Sequence, residues 1–147
     1  MLIENPLNGS PLAFPVLECI HILGFSLSVG TIAIEDFRLL NIGMRHQTPA
    51  ELHNDTWVWT LVGLTIMIFS GLLLFSSDPD MYYLNWAFLG KMACLILAIV
   101  FNYTIHRKTV STEKPPPHSK IVGGVSLALW SGVIFGGIFI AFIDQGL

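Results

Sequence analysis

The sequence predicts an all-α integral membrane protein: an antiparallel bundle of four transmembrane helices forming one domain over residues 1–147. Three observations predict it. The chain is 53% hydrophobic and only 12% charged, with a mean hydropathy of +0.68, whereas a soluble domain carries roughly 25% charged residues. Apolar runs fall at about 13–34, 57–75, 86–103 and 121–143, each close to the roughly 20 residues that cross a bilayer. The runs also lack the polar face that a soluble amphipathic helix would present. Four spans in 147 residues leave no length for a soluble domain.

Helices are expected over about 13–40, 49–76, 84–107 and 120–143. The opening "MLIENPLNGSPL" has no Lys or Arg, so it lacks the basic region of a cleaved signal peptide and reads as an ordered or interfacial lead-in. Helix 1 starts near Pro11–Pro15, because proline is tolerated in a first turn. "TPAE" (48–51) is a helix start, with Thr48 as N-cap, Pro49 at the first position and Glu51 closing a capping box. "SSDPDMYYLNW" (76–86) reads as a short turn carrying an interfacial aromatic belt of Tyr82, Tyr83 and Trp86. "EKPPPHSK" (113–120) is a stiff turn that cannot be helical. Short connections favour up-down-up-down packing.

Six of the seven basic residues, Arg38, Arg45, Arg107, Lys108, Lys114 and Lys120, lie in or beside the two connections at one end. The other end carries Glu4, Asp78, Asp80 and Asp144. By the positive-inside rule the basic end is cytoplasmic and both termini are outside, in the periplasm of a Gram-negative source. Cys19 and Cys94 both lie in apolar runs and read as small packing residues.

Positions seven apart nearly eclipse on a helix, which gives each span one polar or small stripe. His21, Ser28 and Glu35 align on helix 1, with Glu18 beside them; His53, Thr60 and Met67 align on helix 2. On helix 3 Lys91 and Asn102 point nearly the same way, and His106 lies one turn beyond. Gly123, Trp130 and Gly137 align on helix 4, with Ser126 adjacent. Such stripes face the interior of a bundle, where polar groups are hidden from lipid.

Two polar clusters are candidates for chemistry. The outer one is Glu18, His21 and Lys91, where a Glu18–Lys91 ion pair would lower the cost of burying both charges. His21 is a candidate haem ligand there, and the cluster also suits a quinone head group or a proton relay. The inner one is His53, Asn102 and His106, with Asp36, Arg38 and Arg107 nearby. Two imidazoles on facing antiparallel helices are what a bis-His haem b needs, and arginines could pair with its propionates. His21 and His106 cannot share one iron, because their depths differ by roughly 12–14 residues, or about 20 Å. An outer haem at His21 would need a second ligand, for which Lys91 and Met92 are weak candidates. His46 and His118 lie in connections and read as solvated. The sequence has no nucleophile elbow, phosphate loop, CxxC or HExxH, too few Met and Cys for copper export, and no repeat of the transporter kind.

"HILGFSLSVGTIAIEDFRLL" (21–40), "SGLLLF" (70–75), "NWAFLGK" (85–91), "LAIVFNYTIHR" (97–107) and "SLALWSGVIFGGIFIAF" (126–142) together resemble an uncharacterised group of small bacterial four-helix membrane proteins. That group is similar to haem-b-binding four-helix modules and to the membrane domains of copper-resistance D-type proteins. The resemblance covers nearly the whole chain and marks His21, Gly24, Asp36, Arg38, Asn85, Phe88, Lys91, Asn102, His106, Ser126 and Trp130. It implies a bacterial inner-membrane location and a part in membrane electron transfer. A basic residue is expected shortly before the closing "IAF", where this chain has Ile138.

The expectation is a haem b-binding electron-transfer protein, a subunit of a larger complex with other membrane or periplasmic redox subunits and no nucleic acid. His53 and His106 form an inner ligand pair and His21 an outer ligand, with Arg38, Lys91, Asn102 and Trp130 as further cofactor contacts. Glu18–Lys91 and Asp36–Arg38 are polar pairs near the haem or a quinone. The alternative is a cofactor-free accessory or anchor subunit; a third is a proton- or metal-handling protein built on Glu18, His21 and Lys91. Nothing organises a substrate pocket for an isolated enzyme, and the oligomeric state stays open.

Overall fold

The computed structural model describes residues 10–143. Glu4, Asp144 and the lead-in over 1–9 lie outside the described residues. The elements are α1 (Ala13–Leu39), α2 (Pro49–Ser77), the short α3 (Pro79–Tyr83), α4 (Trp86–Val110) and α5 (Ser119–Ile143). Among the described residues there is no strand, and α1, α2, α4 and α5 are each long and apolar enough to span a membrane. The protein is an all-α four-helix membrane bundle whose outer faces contact lipid.

The helix starts follow local chemistry. The Thr48 hydroxyl accepts from the Glu51 N–H at 3.2 Å, and the Glu51 carboxylate accepts from the Thr48 N–H at 2.8 Å. This capping box satisfies two otherwise orphaned donors. Asn85 caps α4 by accepting from the Ala87 and Phe88 N–H groups, and its amide donates to the Ile140 carbonyl of α5 at 3.1 Å. The α1–α2 turn passes through left-handed Asn41, Gly43 and Met44. Arg38 holds it, donating to the Gln47 carbonyl at 2.7 Å and to Asn41 Oδ1 at 3.2 Å.

Two features differ from expectation. The segment 76–86 contains a helical turn, α3, and Tyr82 packs beside the Phe75 and Phe88 rings, with centroids at 6.1 and 5.4 Å. Tyr83 and Trp86 stay exposed. Helix α4 continues to Val110 through a π-helical turn at Asn102–His106.

The most extensive contact is between α1 and α2; α4 packs on α5, and α5 on α1. The backbones approach closely because small residues line both pairings. A Cβ on Gly63 would stand 2.6 Å from the Ser28 nitrogen and 2.7 Å from the Gly24 carbonyl oxygen; one on Gly136 would stand 2.8 Å from Lys91 Cβ. On α1 the close-approach residues are Gly24 and Ser28, whereas Gly30 borders open space. A core of Ile32, Leu64, Met67, Ala98, Trp130 and Val133 fills the centre. The fourth side is different: α2 meets α4 mainly through the last turn of α4, and their backbones otherwise stand apart. At the far end the gap is bridged by Phe75 stacked on Phe88 at 5.6 Å.

Gly63→Val forces backbone against backbone, so α1 and α2 must separate. The expected cost is about 1–3 kcal/mol, the range for overpacking a tight interior, seen as a lower midpoint of thermal unfolding in detergent.

Candidate functional site

Polar chemistry gathers near the basic end of the bundle. Glu35 and Asp36 lie about one turn from the end of α1, His53 about one turn into α2, and His106 about one turn from the end of α4. They meet at one depth. His106 Nε2 lies 2.7 Å from Asp36 Oδ1, and its Nδ1 lies 3.8 Å from Glu35 Oε2. Glu35 Oε1 receives the Thr56 hydroxyl at 2.5 Å and stands 3.1 Å from His53 Nδ1. The result is a chain, Asp36–His106–Glu35–His53, drawn from three helices. Its members are buried except His53, whose side chain is 16% exposed. Thr60 and Thr31 extend the polar stripe, with their hydroxyls 2.7 Å apart. Asp36 Oδ2 and the Ser126 hydroxyl are buried near one another without closing a hydrogen bond.

The π-turn places His106. The Arg107 N–H donates to the Asn102 carbonyl, five residues back, so one more residue is accommodated than an α-turn would hold. Such turns shift the helical phase of everything beyond them and recur at functional sites. Here the side chain beyond the shift is an imidazole aimed at two carboxylates of α1.

Beside this chain a cavity of about 220 Å³ lies between α2 and α4. Trp57, Thr60 and Leu61 line it from α2, and Asn102, Tyr103 and Arg107 from α4; Glu35, His53 and His106 complete the lining. Trp57, Leu61 and Tyr103 are 47%, 45% and 40% exposed, so the cavity opens sideways between the two helices.

The pair His53 and His106 does share this cavity, but as placed it does not fit a bis-His haem. His106 Nε2 is held by Asp36 at 2.7 Å, and its Nδ1 faces the Glu35 carboxylate at 3.8 Å rather than the open cavity wall opposite His53. The cavity is also below the roughly 300–1,000 Å³ of a pocket for a drug-sized ligand, and a macrocycle is larger still. Among the described residues no group of three His, Cys, Asp or Glu side chains is arranged to hold a metal ion.

The outer cluster is not assembled as expected. Among the described residues the ion pairs are His53–Glu35, His106–Glu35 and His106–Asp36; Glu18 and Lys91 do not form one, because Glu18 lies on an exposed face of α1. Glu18 instead acts on Tyr82, whose phenol is pushed above its usual pKa by burial and by the carboxylates of Glu18 and Asp78. His21 Nδ1 bonds the Ser70 hydroxyl at 3.0 Å, with its ring against Gly71. The Lys91 stem lies along Gly136 and Gly137. The Asp36–Arg38 pair is not formed either: Arg38 serves the α1–α2 turn, while Asp36 faces His106. Trp130 is buried in the apolar core rather than in the cavity wall. Asn102 and His53 do reach the cavity.

Glu35 and Thr56 were placed on or beside the inward stripes but not named as site residues, and Trp57 and Tyr103 were not singled out. For Glu35 the signal was available: it falls seven residues after Ser28 and fourteen after His21 on the inward stripe. No curated protein and no solved structure matches this chain. Residues 12–143 match a family of unknown function, DUF6644, and the chain belongs to that family.

Proposed function

We propose that this protein is a proton-relay subunit of a bacterial plasma membrane, working through Asp36, His106, Glu35 and His53. The carrying observation is the burial of His106 between two carboxylates of one helix, with a second, partly exposed imidazole on the other side of Glu35. A neutral imidazole has one donor and one acceptor nitrogen. It can take a proton at one nitrogen and release one from the other, and its ordinary affinity suits neutral pH. A proton arriving at His53 passes to the Glu35 carboxylate through Nδ1. The proton lands on Oε1, so the neutral carboxyl group turns to present it to His106 Nδ1. The 3.8 Å gap is closed by that movement or by one bridging water. Release from His106 Nε2 delivers it to Asp36. With the basic end cytoplasmic and both termini outside, His53 is the cytoplasmic mouth of the relay.

A cofactor-free anchor is the reading this one displaces. One hydrogen-bonded pair suffices to pin two helices, whereas four ionisable side chains at one depth cost desolvation that packing does not require. Haem b with electron transfer is the competing reading. It is favoured by His53 and His106 lining one cavity beside Arg107, and it requires His106 to turn away from Asp36.

The four groups lie at one depth, so crossing the bilayer also takes the Thr60–Thr31 and Ser70–His21 contacts farther along α1 and α2. With them, protein reconstituted in liposomes under an imposed pH gradient is expected to dissipate it. Glu35→Gln and Asp36→Asn are expected to slow this by at least about tenfold, because proton transfer through a positioned group contributes about 10²–10⁴ in rate. Wild-type flux equal to empty liposomes, or unchanged flux in both variants, rules the relay out.

The haem reading is settled by a reduced-minus-oxidised spectrum of the purified protein, expected to lack a Soret band. A band present in the wild type and lost in His53→Ala and His106→Ala would replace the relay with a cytochrome.

A further inference from the structure

We infer that the lateral cavity between α2 and α4 binds the single-ring head of a membrane-soluble quinone, planar, uncharged and carrying hydrogen-bond acceptors. The inference rests on the relay reading for its purpose, since the head would sit where the relay opens at His53, but binding is measured separately.

Access comes from the lipid. The cavity opens where the backbones of α2 and α4 stand apart, and the gap is closed by the last turn of α4 at one end and by Phe75 on Phe88 at the other. Trp57, Leu61 and Tyr103 edge the opening on faces exposed to the bilayer. A ligand entering there keeps its apolar tail among acyl chains and inserts only its head.

Size and shape narrow the head. About 220 Å³ is less than a drug-sized ligand needs and suits one ring. Trp57 and Tyr103 place aromatic side chains on opposite helices bordering the space, which favours a flat group.

The polar lining narrows it further. Asn102 and Arg107 both reach the cavity from α4, and neither side chain has a hydrogen-bond partner among the described residues. Asn102 is half-buried and Arg107 exposed, so both are free to donate, and an acceptor-bearing ligand matches this wall. From α2, His53 has spent Nδ1 on Glu35 and keeps Nε2. Nε2 donates only when the ring carries the proton entering the relay, and donors then stand on both helices, as a ring with carbonyl oxygens on opposite edges requires. Charge excludes the other classes: the Glu35 carboxylate behind the cavity opposes an anion, and the Arg107 guanidinium opposes a cation. An uncharged head is left.

The test is calorimetric titration of ubiquinone-1 into the full chain in nanodiscs. Saturable binding is expected. Asn102→Leu, which removes a donor, and Leu61→Trp, which fills the opening without touching the relay, are each expected to weaken it by about tenfold or more, or about 1.4 kcal/mol. Leu97→Trp, on an exposed part of α4 away from the cavity, is expected to change nothing. Thermal unfolding confirms that each variant folds; if Asn102→Leu does not, Leu61→Trp decides. Absence of saturable binding, equal affinity in Leu61→Trp, or equally effective displacement by monoolein overturns the assignment. Proton flux in wild-type liposomes without ubiquinone-1 binding overturns the ligand and spares the relay. Binding without flux overturns the relay and supports the ligand.

Discussion

Hydrocarbon offers a buried polar group no water, so each must find its partner within the protein. In this bundle that constraint falls most heavily on the 2.7 Å contact between His106 and Asp36. It joins α4 to α1, two helices whose backbones do not pack directly as neighbours. Apolar packing holds α1 to α2, α5 to α1 and α4 to α5, but it leaves α4 without a partner on its remaining side. The imidazole–carboxylate contact closes the arrangement across the interior. Removing one member of a buried pair costs about 3–5 kcal/mol because the other is stranded, so the same atoms carry architecture and chemistry.

The open side follows from the same geometry. Close approach of α1 and α2 is set by Gly24, Ser28 and Gly63, and that of α4 and α5 by Gly132 and Gly136. Two tight pairs joined through α1 and α5 leave α2 and α4 facing each other across larger side chains. The π-turn at Asn102–His106 then swings His106 inward and leaves Asn102 and Arg107 on the cavity side. Past such a turn the helix is about 100° out of the regular phase, since one residue is about 100° of rotation. The cavity and the contact of His106 with Asp36 both sit at one local irregularity in α4.

Most of the architecture was legible in the sequence because it rests on local rules. Hydropathy runs mark the spans, the Thr48–Glu51 box marks the start of α2, and the seven-residue spacing puts His21, Ser28 and Glu35 on one inward face. The histidines of the inner site were legible for the same reason. What they contact was not. Asp36 was paired with Arg38 because the two are close in sequence, whereas Arg38 is drawn to the carbonyl of Gln47 in a turn whose left-handed residues no periodicity reveals. Glu18 was paired with Lys91 by depth alone, and depth does not say which way a side chain faces. The π-turn was invisible too, because "NYTIH" carries no residue that demands it.

The contrast between the two ends sharpens the functional reading. At the outer end His21 meets a single hydroxyl of the adjacent helix, and Lys91 lays its aliphatic stem along Gly136 and Gly137. The Lys91 ammonium lies beside Gly137, and its stem stays among apolar atoms. These are inexpensive ways to keep polar residues in a membrane. At the basic end two carboxylates, two imidazoles and the Thr56 hydroxyl meet at one depth, and among the described residues no arginine forms an ion pair with them. Helix association alone gives no reason to concentrate exchangeable protons there and to withhold the nearest fixed cations. A path for protons does, because a guanidinium locked onto Asp36 or Glu35 would hold the carboxylate in its charged form and stop it from passing one on.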